Sequence, residues 1–532
     1  MVQLRCFDEL DITEGTVQLH DEADGGRLIL HPTPNPNDPN DPLRWPRWKK
    51  HTCFTAVCAF TWVARSISYC QHVADPFISF LTNYAIGGLS PAFYELSIQF
   101  GKTQTETTAL LLWPILVLGV FNFLWVPLAN YFGKRPVFVF ASLLLCVCYL
   151  WGSSTEALGA AIVNDLYFLH ERGNYLGLYM NAISGGNTIG PLICGFVITS
   201  LSWRWHKWMA FIFTAVNWIV VLLFVPETRY DRSYLETAPP ASSSSDSVHA
   251  ASTDEENAMG APAEKVVSSK PEDMSAHPAY QPDQIPKKTW RQELSLWSGV
   301  PKDTNLLTMF IRPFPLIAYP PIIFAFLAYA VSLAWVVAIN ILNSFVLQTP
   351  PYSWKPSING LINIPGLIGN IIGAFLGGWL VDRYSDWRSK KHNGVFQPET
   401  RLHLLWIPGF IVPAGCLVFG YGVQDTLNWT SLFFGYGMVA IGLTSVPVAT
   451  MTYVSDCYLP VNADALLLVN GLKNIVAFGF LQGVVPWVTT AGYVSTFGTQ
   501  AGVYVVILLL AAPLVLFGQQ IRHRVARWKL IL

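Results

Sequence analysis

Apolar runs of about twenty residues, parted by short polar connections, recur along this chain. At 1.5 Å per residue each run is long enough to cross a ~30 Å hydrocarbon core as a helix. The pattern predicts spans at Thr108–Leu128, Tyr179–Leu201, Trp208–Val225, Pro315–Leu347, Ile358–Val381, Leu402–Val423, Trp429–Val454, Ala465–Val488 and Ala501–Phe517, with a further run after Pro136. Backbone groups in lipid need partners within their own segment, so the reading is a polytopic α-helical membrane protein.

Two places break the pattern. Cys53–Thr61 is apolar but stops short, and Phe80–Leu89 starts abruptly. Between them, Trp62–Ser79 brings Arg65, Gln71, His72 and Asp75. Joined directly, the two halves make one span of normal length, so residues 62–79 read as an insertion, such as retained intron sequence. The second break lies between the basic loop at Gly133 and His170-Glu171-Arg172, both read as cytoplasmic loops. Two spans must fit into Pro136–Leu169, where two helices and a turn need about 40 residues. The fourth span therefore reads as lacking its front half, with Glu156–Leu169 as the remnant.

Only 13% of residues are charged, against about 25% in soluble domains. A net charge of −1 decides nothing; the placement of the charges does. Arg44, Arg47, Lys49 and Lys50 sit among Trp45 and Trp48. Lys134 and Arg135 follow the second span, and Arg388, Lys390, Lys391 and Arg401 follow the eighth. Arg522, His523, Arg524, Arg527 and Lys529 end the chain. By the positive-inside rule both termini are cytoplasmic and the spans even in number. The domains are then a cytoplasmic tail (1–52, with 1–30 weakly folded), a first bundle (53–230), a central cytoplasmic loop (231–312), a second bundle (313–520) and a cytoplasmic tail (521–532). The central loop is a flexible tether carrying Ser242–Ser245, and Trp290–Trp297 is placed along the membrane interface. Asn428-Trp-Thr430 is a glycosylation sequon very close to the membrane.

Catalytic chemistry is not in evidence. The nine cysteines include no zinc-type pair and read as small buried hydrophobes. The chain has no phosphate-cradling P-loop, no H-E-x-x-H and no G-x-S-x-G. A nucleotide-driven pump and an intramembrane hydrolase are thereby disfavoured; no enzyme, metal, cofactor or nucleic-acid partner is expected. Within the spans, Ala182, Gly186, Gly190 and Cys194 recur every four residues and form one small-residue stripe, beside Pro191, which bends the helix. The ordinary reading of that stripe is close helix packing. Ionisable groups at membrane depth are costly and mark candidate sites. Lys473 and Glu156 qualify, as solute or proton partners, against a structural tie for the lysine and a solvated loop carboxylate for the glutamate. Asn83, Tyr84, Trp335, Asn340, Asn363 and Tyr436 are candidates for lining a cavity; taken singly, such residues are more often helix-packing glue.

Gly133-Lys134-Arg135-Pro136 resembles the loop signature of the major facilitator superfamily, with Asn130 where the family usually carries Asp. Gly378-Trp-Leu-Val-Asp382-Arg383 is a second copy, with Ser385 in place of the glycine; two copies, one per half, are what a duplicated transporter predicts. Gly186, Gly190, Pro191 and Gly195 resemble the fifth-helix motif of the drug:proton antiporter branch, and Asn164–Gly173 resembles fungal drug, polyamine and histidinol transporters. The resemblance covers roughly residues 40–525. It implies a major-facilitator fold of two pseudo-symmetric six-helix bundles, nominally twelve spans, and a monomer in the plasma membrane. It implies proton-coupled transport of a small organic, cationic or amphipathic drug-like solute by alternating access. It also implies gate roles for Gly133, Lys134, Arg135, Asp165, Glu171, Arg172, Gly378, Asp382 and Arg383. The alternatives are a uniporter or sugar-type facilitator, and a non-transporting remnant or defective gene product.

Overall fold

The computed structural model describes residues 16–21, 27–32, 34, 38–58, 83–84, 87–148, 154–228, 287–289, 292, 294–295, 305–458 and 461–526. The first half contributes helices α1 (Arg47–Cys58), α2 (Phe93–Phe100), α3 (Gln104–Phe132), α4 (Lys134–Cys148), α5 (Ser154–Leu166), α6 (Leu169–Ser200) and α7 (Trp203–Phe224). The second half opens with α8 (Leu306–Ile311), α9 (Pro320–Leu347), α10 (Pro356–Gly360) and α11 (Asn363–Ala374). A π-helical turn (Phe375–Leu380) joins α11 to α12 (Val381–Lys391). Then come α13 (Trp406–Gln424), α14 (Trp429–Cys457), α15 (Asn462–Ala491), α16 (Tyr493–Leu509) and α17 (Ala511–Ala526). Four two-residue strands complete the described chain: β1 (Val17–Gln18) pairs antiparallel with β4 (Val395–Phe396), and β2 (His20–Asp21) with β3 (Arg27–Leu28).

Among the described residues, nine helical stretches are long and apolar enough to cross a membrane. Their outward faces carry large apolar side chains such as Trp113, Phe196, Phe410, Phe434 and Leu516, as lipid contact requires. Local chemistry sets the ends. Thr103 and Glu106 cap α3 reciprocally: the Glu106 N–H donates to Thr103 Oγ1 at 3.3 Å, and the Thr103 N–H to Glu106 Oε2 at 3.0 Å. Gly133, at φ 105° and ψ 155°, occupies backbone space open essentially to glycine alone, which explains why the loop signature begins with one. The Glu227 carboxylate, beyond α7, accepts the N–H groups of Lys134 (3.1 Å) and Arg135 (3.2 Å) at the start of α4, where negative charge favours the helix dipole. Asn428 spends its side chain capping α14, accepting the Thr430 N–H at 3.3 Å.

Several expectations shift. The fifth helix begins at Leu169 rather than Tyr179, so the expected loop His170-Glu171-Arg172 is helical. The eighth continues through the second signature to Lys391; Asp382 and Arg383 lie on a helix because nothing from Ala374 to Lys391 breaks it. Part of the tail expected to be weakly folded pairs with β4. The described parts of helices α4 and α5 have 15 and 13 residues, about 22 and 20 Å, and residues 149–153 between them lie outside the described residues. The proposed insertion (62–79), the Ser242–Ser245 run, Arg527 and Lys529, and most of Trp290–Trp297 lie outside the described residues.

The halves meet along two helix pairs, α3 with α15 and α6 with the α10–α12 stretch. Glycines set both. A Cβ on Gly119 would lie 2.9 Å from the Gly471 carbonyl oxygen; one on Gly177 would lie 3.0 Å from that of Ala374; one on Gly195 would lie 2.5 Å from that of Pro356. Such backbone-to-backbone approach is the use of small residues in membrane helix packing. The end of the bundle carrying the β1–β4 ribbon, Gly133 and Asp382 is called the tail side below; the end carrying Gly195 and Pro356 is the far side.

Candidate functional site

A cavity lies between the halves, lined by Asn83, Gly87, Leu111, Ile115, Leu118 and Asn187 of the first and Leu333, Val337, Asn340 and Asn474 of the second. Four carboxamides from four segments thus face one apolar space. Asn187 Nδ2 donates to Asn83 Oδ1 at 3.3 Å, and Asn340 lies near the Tyr436 hydroxyl. Among the described lining residues none is ionisable.

The tail side is closed by a buried charge cluster. Arg401 donates through Nη1 to Asp382 Oδ1 (2.6 Å), through Nε to Asp456 Oδ2, and through Nη2 to the Leu169 carbonyl (3.2 Å). Asp456 Oδ1 accepts from Arg172 Nη1 at 3.2 Å, and Asp382 Oδ2 accepts the Asn174 N–H at 2.7 Å. Leu169, Arg172 and Asn174 stand on α6; the other partners belong to the second half. Arg172, Arg401 and Asp456 are each about 1% exposed. Two cations and two anions balance, as burial demands. Asn164 Nδ2 to Ser455 Oγ (3.2 Å) and Asn130 Nδ2 to Asp464 Oδ1 (3.5 Å) add neutral-to-polar ties across the same seam.

The far side is closed by backbone and hydroxyl contacts instead. Gln348 Nε2 donates to the Pro91 carbonyl at 2.8 Å, the Tyr94 N–H to Ser344 Oγ at 3.2 Å, and the Ser357 N–H to Thr199 Oγ1 at 3.1 Å. Polar ties thus join the halves at both ends of the seam.

The expected site residues fall into three groups. Asn83 and Asn340 line the cavity together. Asp382 and Arg172 join the tail-side cluster, and Gly378 lets the halves touch, its Cα 3.3 Å from where a Gly177 Cβ would lie. The rest lie elsewhere. Lys134 pairs with Asp165 and Arg135 donates to the Leu222 carbonyl at 2.8 Å, so these described contacts stay within the first half. Glu171 meets His170 at 3.7 Å. Arg383 is exposed; the arginine that meets Asp382 is Arg401. Tyr436 donates to Asn363 Oδ1 (3.2 Å), a tie within the second half. Tyr84 meets His206 Nδ1 at 3.3 Å, away from the cavity. Buried Trp335 packs edge-on against Phe480. Lys473, 1% exposed, holds its ammonium 3.8 Å from the Tyr329 ring centre, one residue from cavity-lining Asn474. Gly190 faces the backbone of Tyr84 and Gly88, and Gly195 that of Pro356 and Gly360, with Gly186 and Pro191 buried on the same helix. Glu156 lies on α5, its side chain outside those described.

Arg401 and Asp456 were the residues to find. Each borders a predicted apolar run at the end marked by Asp382, and a charge of each sign there is a signal for pairing. Asn187 and Asn474 carried no more signal than any other asparagine in a span.

A family model described as Major Facilitator Superfamily matches residues 150–462. An MFS-type transporter of Schizosaccharomyces pombe is 23% identical, covering 94% of this chain and 89% of its own. Protein HOL1 of Saccharomyces cerevisiae is 22% identical, over 94% and 92%, and the MFS antiporter QDR3 of Candida albicans 24% identical, over 74% and 70%. The crystal structure of the human organic anion transporter MFSD10 superposes with a TM-score of 0.51 at 15% identity, over 88% of this chain and 100% of that one.

Proposed function

Since the chain belongs to the major facilitator superfamily and is a multi-pass membrane solute transporter rather than an enzyme, we propose that it is a proton-coupled antiporter for small amphipathic organic solutes. The carrying observation is the amide-lined cavity drawn from both halves, with polar ties between the halves at both rims. A shared cavity between two tied rims suits alternating access, in which one rim opens at a time. Its apolar walls suit a hydrophobic body and its carboxamides suit hydroxyl, carbonyl or amine groups on it. Lys473, and Glu156 on α5, are the ionisable candidates for coupling solute to protons. The printed names of relatives, an antiporter among them, support the same reading. The tail side faces the cytoplasm in this reading, following the basic residues there. The protein works as a monomer in the plasma membrane, and residues 62–79 are an insertion.

The test is flux into proteoliposomes with an imposed pH gradient, using spermidine, an uncharged phenol and fluorescein as probes of three charge classes. At least one probe is expected to accumulate until a protonophore collapses the gradient. Asn340→Ala is expected to weaken that flux at least about tenfold, as two lost hydrogen bonds would. Flux of every probe equal to that of empty vesicles sinks the transport reading for these classes; flux indifferent to the protonophore sinks the coupling.

A further inference from the structure

The described part of the N-terminal tail lies on the moving seam itself. On the second half, β1 pairs with β4 in the register Val17↔Phe396 and Gln18↔Val395. The Leu19 N–H donates to the Gly394 carbonyl at 2.8 Å, and His20 Nε2 meets Asp386 Oδ1 at 2.9 Å. Arg522 Nη1 reaches Thr16 Oγ1 at 3.4 Å. Gly394 sits at φ +71°, and a Cβ there would run into the His20 carbonyl.

On the first half, the Leu169 N–H at the start of α6 donates to the His31 carbonyl at 2.9 Å. Beyond it, the Pro42–Arg44 turn, capped by the Asp41 carboxylate on the Leu43 N–H (3.0 Å), packs on α5. Helix α1 then lies on α5, α6 and α7. One side chain ties the two sets of contacts together. Leu19, 3% exposed, is wedged in a small apolar cluster between Leu169 of the first half and Phe396 of the second.

We propose that the described tail residues 16–21, 27–32 and 38–46 act as a strap that holds the tail side shut and must release one half before that side opens. Leu169 is the shared point: its carbonyl accepts from gate residue Arg401, and its N–H donates to the strap. Separation of Leu169 from Phe396 empties the seat of Leu19 and exposes its side chain. The restraint lies in the docked contacts at Leu19 and Leu169. The strap acts on opening whatever the solute or the coupling ion, so it stands or falls separately from the proposed function.

The experiment measures the distance between spin labels at Leu223 and Lys391, one per half near the tail side, by pulsed electron resonance on the purified full chain. Leu19→Asp undoes the strap from its own side and Gly394→Val from its receptor. Each is expected to raise the long-distance, tail-side-open population at least about threefold, the loss of one net apolar or hydrogen-bonded contact. Open populations unchanged in both release variants overturn the proposal.

Discussion

Asp456→Asn isolates the tail-side gate. Asp456 accepts from Arg401 within its own half and from Arg172 across the seam. The amide keeps the shape of the carboxylate but removes one charge, leaving two guanidiniums against Asp382 alone. Arg401 still has Asp382 and the Leu169 carbonyl. The loss therefore falls on Arg172, whose Nε already lacks a partner among the described residues. Stranding a buried ion costs about 3–5 kcal/mol. Arg172 regains water when the halves part, so the cost falls on the closed state, and the opening equilibrium should rise about 150- to 4000-fold. The double variant Arg172→Gln with Asp456→Asn restores neutrality and should return most of the way. Arg172→Gln alone, with Asp456 still held by Arg401, should lose one charge-assisted bond, about 1.5–3 kcal/mol. The expected order of open population is wild type, double variant, Arg172→Gln, Asp456→Asn, read from the same label pair. A double variant as open as Asp456→Asn would refute the charge-balance reasoning, and an Asp456→Asn protein as closed as wild type would refute the gate.

Other outcomes follow from the same geometry. Gly195→Ala puts a methyl 2.5 Å from the Pro356 carbonyl oxygen; it should loosen the far side by about 1–3 kcal/mol, seen as faster maleimide labelling of a cysteine at Asn340. Lys134→Ala should lower thermal stability by up to about 3 kcal/mol, since its pair with Asp165 is largely buried, and leave the open population alone because the pair is internal to one half. Thr103→Ala removes the reciprocal cap of α3 and should lower stability by about 1 kcal/mol with flux per folded molecule unchanged; a change in flux would give that end of α3 a role in transport.

How much of this was legible in the sequence depended on what each residue had to satisfy. The spans were readable because lipid demands long apolar runs, and Gly133 because one backbone conformation demands glycine. The second signature was visible as Asp382-Arg383, yet the partner of Asp382 is Arg401. Helix continuity to Lys391 turns Arg383 outward, and only tertiary packing decides which arginine arrives. The start of α6 was hidden for a related reason. Arg172 looks like a loop charge until Asp456, from the other half, neutralises it inside the bundle. Of the cavity, Asn83 and Asn340 were named, whereas Asn187 and Asn474 share a composition with asparagines that merely pack.

The glycine contacts between α6 and the α10–α12 stretch bear on how the halves can move. At both ends of this seam the surfaces are bare backbone: Gly177 on Ala374 and Gly378, Gly195 on Pro356 and Gly360. Side chains that interlock must change rotamer before they can slide, and each change adds a barrier. Bare backbone has no teeth to disengage. The α6 seam is thus built as a bearing: one end can lift while the other stays in contact and serves as the fulcrum, and friction along it is low. The energy that selects a state is then concentrated in the few polar ties at each rim, which is why single charges there are expected to govern a motion of the whole molecule.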